Sequence, residues 1–447
     1  MNQLHPTIPQ ILINLNIASL NTMQQASLEA NAKSADVVLL SPTGSGKTLG
    51  FLLPAYQTLN PESADIQILV IVPSRELALQ IEQVFKNMKT GYKVNTCYGG
   101  HEIATEENNF TVPPAILIGT PGRICDHIQR KNIDLKTVQT LVLDEFDKCL
   151  EMGFQEEMSF IIQQLKNVKK RILTSATQAI AIPNFTGLKN PENLNFIEAA
   201  NAALTIKTLR ASDNNKLETL FKLICQLGNV ATIVFCNQRD AVEEVCEYLT
   251  EKGIVNSNFH GGLEQRYRES TLTKFRNGSC NFLITTDLAA RGLDIPAVEY
   301  VVHYQLPPKE DAFIHRNGRT ARMDATGTAI LLLNTNDYLP DYINGKPENI
   351  VLAPKLVLPA LPQWETIFIG GGKKDKINRV DIVGFLSQKG QLKKEELGLI
   401  EVKDIFAYAA VKRDKVKAVL KLVQTEKIKN KKLKIEIARE TPKMESY

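Results

Sequence analysis

Hydrophobic residues in the first 340 positions occur in short continuous runs that alternate with segments of helical periodicity. The runs predict strands at residues 37–40, 68–72, 115–118, 140–143, 171–174, 232–235, 282–285, 300–303 and 329–333. Runs that are apolar throughout are typical of parallel sheets covered by helices on both faces. The chain is therefore predicted to form two parallel-sheet α/β lobes, at residues 1–200 and 201–340. The polar, aperiodic stretch 199–215 predicts a flexible connection between the lobes.

The pattern changes after residue 340. Prolines recur there and sustain neither a helix nor a central strand, so residues 341–363 are predicted to be a linker. Residues 364–438 then show the order β-α-β-β-α-β. This order predicts a C-terminal ferredoxin-like (RRM-type) α+β domain, which is followed by a tail at 439–447.

Composition places the chain among soluble globular proteins, with 43% hydrophobic and 23% charged residues in 447 positions. It contains no run of about 18 apolar residues and does not begin like a signal peptide. We therefore expect a cytoplasmic protein that is monomeric and not bound to a membrane. Its seven cysteines are scattered and odd in number, which is typical of reduced thiols.

Charge is distributed unevenly along the chain. The net charge is +4, but residues 364–447 contain 20 basic and 12 acidic residues. The C-terminal part is therefore the part of the chain that we expect to bind a polyanion. A solvated lysine-rich surface is the alternative interpretation of the same charges.

A glycine-rich segment follows the first predicted strand, and a helix is predicted to begin near its lysine. Glycines let backbone N–H groups point at phosphate oxygens, and a helix N-terminus favours their negative charge. The lysine is expected to reach the β and γ phosphates, and the final threonine is expected to help hold Mg²⁺. The predicted nucleotide-binding residues here are Thr43, Gly44, Ser45, Gly46, Lys47 and Thr48.

Two adjacent carboxylates, Asp144 and Glu145, follow the strand predicted at 140–143. A strand that ends in this way can place Asp144 on a magnesium ion together with Thr48. It can also place Glu145 beside an attacking water while the upstream loop holds a triphosphate. The combination predicts that the chain hydrolyses a nucleotide, with Mg²⁺ as a cofactor.

A longer series of short motifs runs through residues 20–335 in one order. In the first lobe these motifs are Thr43-Gly44-Ser45-Gly46-Lys47-Thr48, Pro73-Ser74-Arg75-Glu76-Leu77-Ala78, Gly99-Gly100, Thr120-Pro121-Gly122-Arg123, Asp144-Glu145-Phe146-Asp147 and Ser175-Ala176-Thr177. In the second lobe they are Val234-Phe235-Cys236-Asn237, His260-Gly261 with Gln265 and Arg268, Thr286-Asp287 with Arg291-Gly292-Leu293-Asp294, and His315-Arg316-Asn317-Gly318-Arg319-Thr320-Ala321-Arg322. By these motifs the chain resembles the DEAD-box RNA helicases. The resemblance implies two tandem RecA-like lobes, ATP as the nucleotide and RNA as the partner.

The resemblance also implies roles for individual residues around the nucleotide. Gln24 would recognise adenine, because a side-chain amide can donate and accept at once. Gln25 is a rival one position away, and no aromatic residue precedes Phe51 to stack on the base. Asp294 would contact the ribose. The residues expected to act in catalysis are Lys47, Asp144, Glu145, Arg319 and Arg322, the last two as arginine fingers.

Other motif residues are expected to couple the lobes or to hold RNA. The coupling residues implied by the resemblance are Asp147, Ser175, Thr177, His315 and Arg316, with Asp147 tied to Ser175 and Thr177 when the lobes engage. The RNA-binding residues implied for the two lobes are Arg75, Gly99, Gly100, Thr120, Gly122, Arg123, Gln265, Arg268, Thr285 and Arg291. These groups would hold the sugar-phosphate backbone, so the lobes should not select a base sequence. Phe146 stands where the family usually has alanine, which should leave hydrolysis intact.

The C-terminal segment resembles the divergent RNA-recognition motif that ends DbpA-type bacterial helicases. This implies delivery to ribosomal RNA of the large subunit. Two surfaces remain open as the RNA contact: an aromatic pair, Phe406 and Tyr408, for base stacking, or clusters of basic side chains. The basic candidates are Lys373, Lys374, Lys376 and Arg379, and the stretch Lys427, Lys429, Lys431 and Lys432. Rival functions with the same lobes are a general helicase of cold response or RNA decay, and an ATP-gated RNA clamp that seldom unwinds.

Overall fold

The structure is a computed structural model of the chain. It describes residues 6–42, 44–100, 103–177, 182–197, 204–211, 215–287, 298–320, 327–343 and 345–438. These residues form two compact units, one containing the described residues before 204 and the other containing those from 204 onward. Of the residues predicted to act in the nucleotide and RNA sites, Thr43, Arg291, Asp294 and Arg322 lie outside the described ranges.

The first unit is built on a parallel sheet of seven strands in the order β3-β4-β2-β5-β6-β1-β7. Its strands are β1 (Asp36–Leu40), β2 (Ile68–Ile71), β3 (Val94–Cys97), β4 (Ile116–Gly119), β5 (Thr140–Leu143), β6 (Lys170–Ser175) and β7 (Glu192–Asn195). Its helices are α1 (Ile8–Leu15), α2 (Thr22–Lys33), α3 (Lys47–Tyr56), α4 (Arg75–Asn87), α5 (Ile103–Phe110), α6 (Pro121–Gln129), α7 (Phe146–Glu151) and α8 (Gln155–Gln164). Separate hydrophobic clusters lie on the two faces of the sheet, because successive side chains of its central strands point to opposite faces.

The second unit contains another seven-stranded parallel sheet, in the order β10-β11-β9-β12-β13-β8-β14. Its strands are β8 (Leu204–Arg210), β9 (Thr232–Cys236), β10 (Asn256–Phe259), β11 (Phe282–Thr286), β12 (Tyr300–His303), β13 (Gly327–Leu333) and β14 (Glu348–Asn349). Its helices are α9 (Lys216–Leu227), α10 (Arg239–Glu251), α11 (Gln265–Arg276) and α12 (Glu310–Asn317).

The same unit includes the C-terminal domain, a four-stranded antiparallel sheet in the order β16-β17-β15-β18. Its strands are β15 (Trp364–Ile369), β16 (Leu397–Val402), β17 (Ala407–Lys412) and β18 (Ile435–Ile437), and its helices are α13 (Arg379–Gln388) and α14 (Val416–Val423). Both helices contribute to a core with one face of this sheet. The predicted fold class, with two parallel-sheet lobes and an RRM-type domain, is confirmed.

The structure corrects one predicted connection. Residues 204–210 were expected to belong to a flexible stretch, but they form β8, which pairs with β13 over its whole length. The sequence Leu-Thr-Ile-Lys-Thr-Leu-Arg contains the β-branched residues Thr205, Ile206 and Thr208, and strand pairing outweighs its polar composition. A second difference lies in the predicted linker, where Glu348 and Asn349 pair with the opposite edge of β8.

Strands β3, β7 and β10 were not predicted. Each contains two or more polar residues in a four-residue strand, because strands at the edge of a sheet tolerate such residues. Among the helices in the described ranges, none combines the length and the apolar character needed to span a bilayer.

Candidate nucleotide and RNA sites

The glycine-rich loop joins the carboxyl end of β1 to the first turn of α3. Gly46 caps α3 with a φ of +87°, a left-handed conformation that favours glycine. A Cβ atom at this position would also lie 2.6 Å from Gln24 Nε2. Lys47 is buried, and its ammonium group donates to the carbonyl oxygens of Ser41 and of Pro42, the latter at 2.8 Å. The loop therefore holds the lysine against its own backbone at a helix N-terminus, where anions bind.

Three carboxylates lie at the same edge of the sheet, directly after β5. Asp144, Glu145 and Asp147 are 3%, 7% and 0% exposed. Asp144 Oδ1 accepts hydrogen bonds from the Thr174 hydroxyl and from the Glu145 N–H at 3.1 Å. Burial raises the pKa of Asp144, while the bond from Thr174 and the charge of Lys47 act in the opposite direction.

The backbone at Glu145 is strained. Its φ of 47° and ψ of 48° place a non-glycine residue in the left-handed region, between β5 and α7. Such strain costs about 1–3 kcal/mol and is found mainly at functional sites. The surrounding structure thus holds this carboxylate at the strand end in spite of its backbone strain.

The third carboxylate connects this strand end to β6. The Thr177 hydroxyl donates to Asp147 Oδ2 at 3.2 Å, and the Ser175 hydroxyl donates to the Thr177 carbonyl oxygen at 2.9 Å. All three side chains are buried within the first unit. The contact between Asp147 and Thr177 predicted for engaged lobes is therefore already present inside one lobe.

The predicted adenine contact lies beside the loop. Gln24 is buried, its Oε1 accepts from the Asn21 N–H at 3.1 Å, and its Nε2 donates to the Gly46 carbonyl oxygen at 3.2 Å. Each atom keeps further hydrogen-bonding capacity, since an amide oxygen accepts twice and an amide nitrogen donates twice. The rival Gln25 is exposed. The structure thus brings Gln24, and not its neighbour, to the phosphate loop.

The donor set at this edge fits a divalent cation. Carboxylate and hydroxyl oxygens are the ligands that Mg²⁺ prefers, and the ion is commonly held by one or two protein groups together with water and phosphates. Burial raises the pKa of Asp144, and a cation beside it would offset that cost of keeping the carboxylate charged. Thr48 lies in the first turn of α3, one residue after the lysine.

Predicted RNA-binding residues of the first unit come together around one loop. The Arg75 guanidinium lies over the ring of Tyr98, 4.7 Å from its centroid, and Arg123 Nε donates to the Tyr98 carbonyl oxygen at 3.1 Å. Tyr98 leads directly into Gly99 and Gly100, which are both exposed. Gly122, next to Thr120 and Pro121 at the start of α6, is also exposed. Two arginines and three glycines thus border one surface at the carboxyl ends of the strands, where α/β sheets place ligands.

The sequence did not indicate the pair of buried groups that supports this loop. Glu106 Oε2 lies 2.6 Å from His127 Nε2, and neither side chain is more than 2% exposed. Glu106 Oε1 also accepts from the Tyr98 N–H at 2.9 Å. The two residues lie on α5 and α6, 21 positions apart, and no motif spacing marks them.

The second unit places its motif arginine in a buried network. Arg316 is 1% exposed; its guanidinium donates to both carboxylate oxygens of Asp287, to Asn237 Oδ1 and to the Gln305 carbonyl oxygen at 2.5–2.8 Å. His315 and Arg319 are buried as well. Arg316 therefore links β9, β11 and β12 within one unit, which was not anticipated from its predicted coupling role.

One predicted RNA contact is corrected. Thr285 is fully buried in β11, and its hydroxyl donates to the Phe259 carbonyl oxygen at 2.8 Å, so the side chain is not at the surface. Residues of a strand alternate between faces, and Thr286, at the end of the strand, is partly exposed. Gln265 and Arg268 lie in the first turn of α11 and are also partly exposed.

The two basic segments of the C-terminal domain form one surface. Lys431 pairs with Asp375 at 2.8 Å, and Lys429 pairs with Asp381 and donates to the Lys376 carbonyl oxygen, both at 2.7 Å. These contacts join the turn after β15 to the turn before β18. We call the combined patch the basic surface; its exposed side chains are Lys373, Lys374, Lys376, Arg379, Lys427, Lys429, Lys431 and Lys432.

Gly372, which precedes this basic turn, is required by the close approach of two backbone segments. A Cβ atom at Gly372 would lie 2.3 Å from the Lys403 carbonyl oxygen, so only glycine allows this approach of the two backbones. The Lys373 and Lys374 N–H groups donate to the carbonyl oxygens of Lys403 and Asp404 at 2.9 and 2.8 Å. The turn therefore presents its lysines from a fixed backbone.

The predicted stacking residues lie on the face of the C-terminal sheet that is opposite to α13 and α14. Phe406, Tyr408 and Phe368 form a cluster with ring centroids 5.3–5.9 Å apart. Tyr408 is 3% exposed, and its hydroxyl lies 3.5 Å from the Arg266 carbonyl oxygen in α11. Burial raises the pKa of Tyr408 to about 12. In this arrangement the Tyr408 ring is not open to a base.

Comparisons with known proteins agree with this architecture. Residues 21–184 match the DEAD/DEAH box helicase family, residues 215–324 match the helicase conserved C-terminal domain, and residues 366–437 match the DbpA RNA binding domain. The ATP-dependent RNA helicase DbpA of Escherichia coli (strain K12) is 33% identical, over 96% of this chain and 97% of that protein. The DEAD-box ATP-dependent RNA helicase CshA of Bacillus subtilis (strain 168) is 34% identical, over 70% of this chain and 65% of that protein.

A solved structure shows the same fold in the two lobes. Saccharomyces cerevisiae Dbp5, bound to RNA and ADP BeF3, is 27% identical with a TM-score of 0.66, and the match covers 73% of this chain and 88% of that chain. A nucleotide loop, a strand ending in carboxylates and three domain matches in this order agree with one family, whose members are RNA-stimulated ATPases. The chain belongs to the DEAD-box ATP-dependent RNA helicases of the DbpA type.

Proposed function

We propose that this helicase unwinds or remodels structured ribosomal RNA during assembly of the large ribosomal subunit. This proposal is supported by a comparison of how much of the chain matches each relative. The match to DbpA extends over 96% of the chain, whereas the match to CshA spans 321 residues, close to the length of the two lobes alone. The C-terminal domain is therefore the feature that distinguishes this helicase from general ones.

In the nucleotide site, we propose that Lys47 contacts the β and γ phosphates, that Thr48 and Asp144 hold Mg²⁺, and that Glu145 orients the attacking water. The metal ion would neutralise charge on the phosphoryl oxygens. By the family resemblance, Arg319 and Arg322 would add positive charge at the γ phosphate. Gln24 would select adenine by hydrogen bonding.

In the two lobes, the proposed RNA contacts are to the sugar-phosphate backbone. The surface around Arg75 and Arg123 offers guanidinium groups and exposed glycines. Groups of this kind bind phosphates and allow close approach, but they do not read base edges. The choice of RNA is therefore assigned to the C-terminal domain.

The observation that carries this proposal is the basic surface. Eight basic side chains from the segments 373–379 and 427–432 are exposed, contacts of Lys429 and Lys431 join the two segments, and the turn that contains Lys373 and Lys374 has a fixed backbone. A preorganised arrangement of charges can recognise the shape of a folded RNA, since the cost of ordering the loop does not arise on binding. We propose this surface, and not the aromatic pair, as the main RNA contact of the domain.

The test is a footprint of the full-length protein on total ribosomal RNA. The critical variant changes Lys373→Glu and Lys374→Glu together. A matched control changes Lys393→Glu and Lys394→Glu, which alters the charge of the same domain equally. β15 and β16 both pair antiparallel with β17 and so run in one direction. Lys373 follows the end of β15 and Lys393 precedes the start of β16, so the two pairs lie at opposite ends of the sheet.

We expect the wild-type protein and the control to protect the same hairpin of large-subunit RNA. The critical variant should bind that hairpin roughly tenfold more weakly, with a smaller salt dependence, because it has lost phosphate contacts. Protection of no preferred ribosomal segment would contradict the proposal and favour a general helicase. Protection without ATP-dependent separation of a neighbouring short duplex would instead favour a clamp.

A further inference from the structure

The C-terminal sheet has fully buried residues on both faces, although Phe368 is partly exposed. α13 and α14 pack against the face that carries Ile367 and Ala409. On the opposite face, Thr366, Tyr408 and Ala410 are 0%, 3% and 0% exposed. This second face is the one on which RRM-type sheets stack bases. Here it lies against α11 of the second lobe.

The centre of this contact is a buried polar network. Asn277 Nδ2 donates to Thr366 Oγ1 at 2.8 Å, and Thr366 Oγ1 donates to Ser279 Oγ at 2.9 Å. The Ser279 N–H donates in turn to Asn277 Oδ1 at 3.0 Å. No member of the network is more than 9% exposed. Connected networks of this kind favour one orientation, because any shift would leave a buried polar group without its hydrogen bond.

Charged groups surround that centre. Arg276 pairs with Glu401 at 2.8 Å, and the Thr273 hydroxyl donates to the same carboxylate at 3.4 Å. The charges of Arg276 and Lys403 lower the pKa of Glu401 in spite of its burial. On the other side, Arg413 donates to the Ser279 carbonyl oxygen at 3.1 Å. The interface thus has a polar core, with the ion pair Arg276–Glu401 on one side and the Arg413 guanidinium on the other.

Helix α11 also carries Gln265 and Arg268, the proposed RNA contacts. Thr273 and Asn277 contact the C-terminal sheet through their side chains, Arg266 through its backbone carbonyl oxygen, and Arg276 through its pair with Glu401. Around the helix axis, Gln265 lies about 20° and Arg268 about 80° from Arg276, at distances of about three and two turns along the helix. One helix therefore connects the two RNA-binding parts of the second unit.

We infer that the second face of the C-terminal sheet is a docking surface for α11, and that Glu401, through Arg276, is a positioning residue for Gln265 and Arg268. The inference rests on the proposed RNA role of those two residues. A docked domain holds the helix in the orientation that RNA binds, so no binding energy is spent on ordering it. A docked domain also covers Tyr408, whereas the side chains of the basic surface stay exposed.

The test uses the full-length protein and a single-stranded oligoribonucleotide without a hairpin, so that the basic surface has no folded target. Arg276→Glu and Glu401→Arg are measured separately and then combined as a charge swap. Each single reversal should raise the KM for RNA in the ATPase assay about fivefold, since only the docked fraction binds at full affinity. The kcat at saturating RNA should stay unchanged, and the charge swap should restore KM.

Matched reversals at Lys389 and Glu426 control for net charge, because these residues form a 3.1 Å pair elsewhere in the C-terminal domain. Docking itself is read from Trp364, the single tryptophan of the chain, whose ring lies against Gly278 of the second lobe. Thr366→Arg provides a stronger disruption, since it places a long charged side chain into the buried network. Its effect on KM should exceed that of either charge reversal.

A shift in Trp364 emission with an unchanged KM for RNA would overturn the inference, as would an equal rise in KM for the Lys389→Glu control. A second comparison separates this failure from failure of the RNA assignment. If Gln265→Ala with Arg268→Ala leaves KM unchanged, the assignment of these residues to RNA is wrong and the inference falls with it. If that double variant raises KM while Thr366→Arg does not, only the coupling through the docked domain is wrong.

Discussion

The two parallel sheets of this protein have the same strand order but very different chemistry at their carboxyl edges. β1 corresponds to β8, β2 to β9 and β5 to β12, in sheets that align strand by strand. After β1 comes a glycine loop, whereas α9, which follows β8, begins at Lys216 with Asn215 as its cap. After β5 come buried carboxylates, whereas β12 ends at a histidine followed by Tyr304.

The difference shows that topology supplies an edge where ligands can bind, while the residues at the strand ends decide what binds there. In the first unit, buried carboxylates lie directly after β5. In the second unit, the buried Arg316 forms a bidentate pair with Asp287, which is partly exposed. One lobe therefore carries a nucleotide site, and its counterpart uses its motif residues partly to stabilise itself.

The largest effect should distinguish Lys47, which begins α3, from Lys216, which begins α9. Lys47→Ala should abolish RNA-stimulated phosphate release, with a loss of at least about a thousandfold, because the phosphates lose their cation. Lys216→Ala, at the corresponding position of the second sheet, should retain activity. Burial lowers the pKa of Lys216, and its ammonium lies 5.4 Å from the Tyr304 ring centroid. The measurement is phosphate release by both variants. An equal loss in Lys216→Ala would contradict the proposed difference between the two sheets.

The next effect concerns stability. Arg316→Ala should destabilise the second unit by about 3–5 kcal/mol, because it leaves the Asp287 carboxylate without its buried partner. Urea unfolding followed by Trp364 emission measures this change, since that residue belongs to the second unit. A loss well below 1 kcal/mol would mean that the network contributes little to folding. Arg239→Ala is the control, since that arginine is exposed.

A third difference should appear with pH. Burial, together with the charge of Arg316, lowers the pKa of His303 to about 3. In the unfolded chain this histidine binds a proton below about pH 6.5, and in the folded protein it does not. Its contribution to stability is therefore complete above pH 6.5 and decreases as pH falls toward 3.

Unfolding of the second unit at pH 5 should be easier than at pH 6.5 by about 2 kcal/mol from this group. His303→Leu introduces the residue that ends β5 in the first sheet and should flatten the dependence. The measurement is the same Trp364-monitored urea transition at both pH values. An equal slope in the variant would assign the pH dependence to other groups.

The smallest effect distinguishes two neighbouring glutamines. Gln24→Glu keeps the acceptor for the Asn21 N–H but loses the amide donor, and it should raise the KM for ATP about tenfold. Gln25→Glu makes the same change on an exposed side chain and should leave KM unchanged. Steady-state ATPase assays with saturating RNA decide between them. Equal effects would move the adenine contact away from Gln24.

Much of the fold followed from local sequence patterns. Central strands are buried on both faces and so are apolar throughout, which is why the nine predicted runs coincide with strands. The β-α-β-β-α-β order of the C-terminal domain was equally readable, and the structure shows the strands and helices in that order. Strands β3 and β10 were missed because edge positions accept polar residues.

The candidate site divides in the same way. The loop around Lys47 is one contiguous segment, and the pair Asp144-Glu145 is another. Both can be recognised in the sequence because phosphate binding and metal binding need neighbouring groups on one turn. The left-handed backbone of Glu145 and the burial of Thr285 depend on packing from distant segments. No local periodicity encodes such packing.

The sequence alone determined the central apolar strands and the motifs of this helicase, because burial and phosphate chemistry leave marks within a few residues. Only the tertiary structure decided that residues 204–210 join a sheet and that Glu106 meets His127. It also decided that Arg276 meets Glu401, across 125 positions of the chain. Such contacts are set by the geometry of the assembled fold, in which residues far apart in the chain become neighbours.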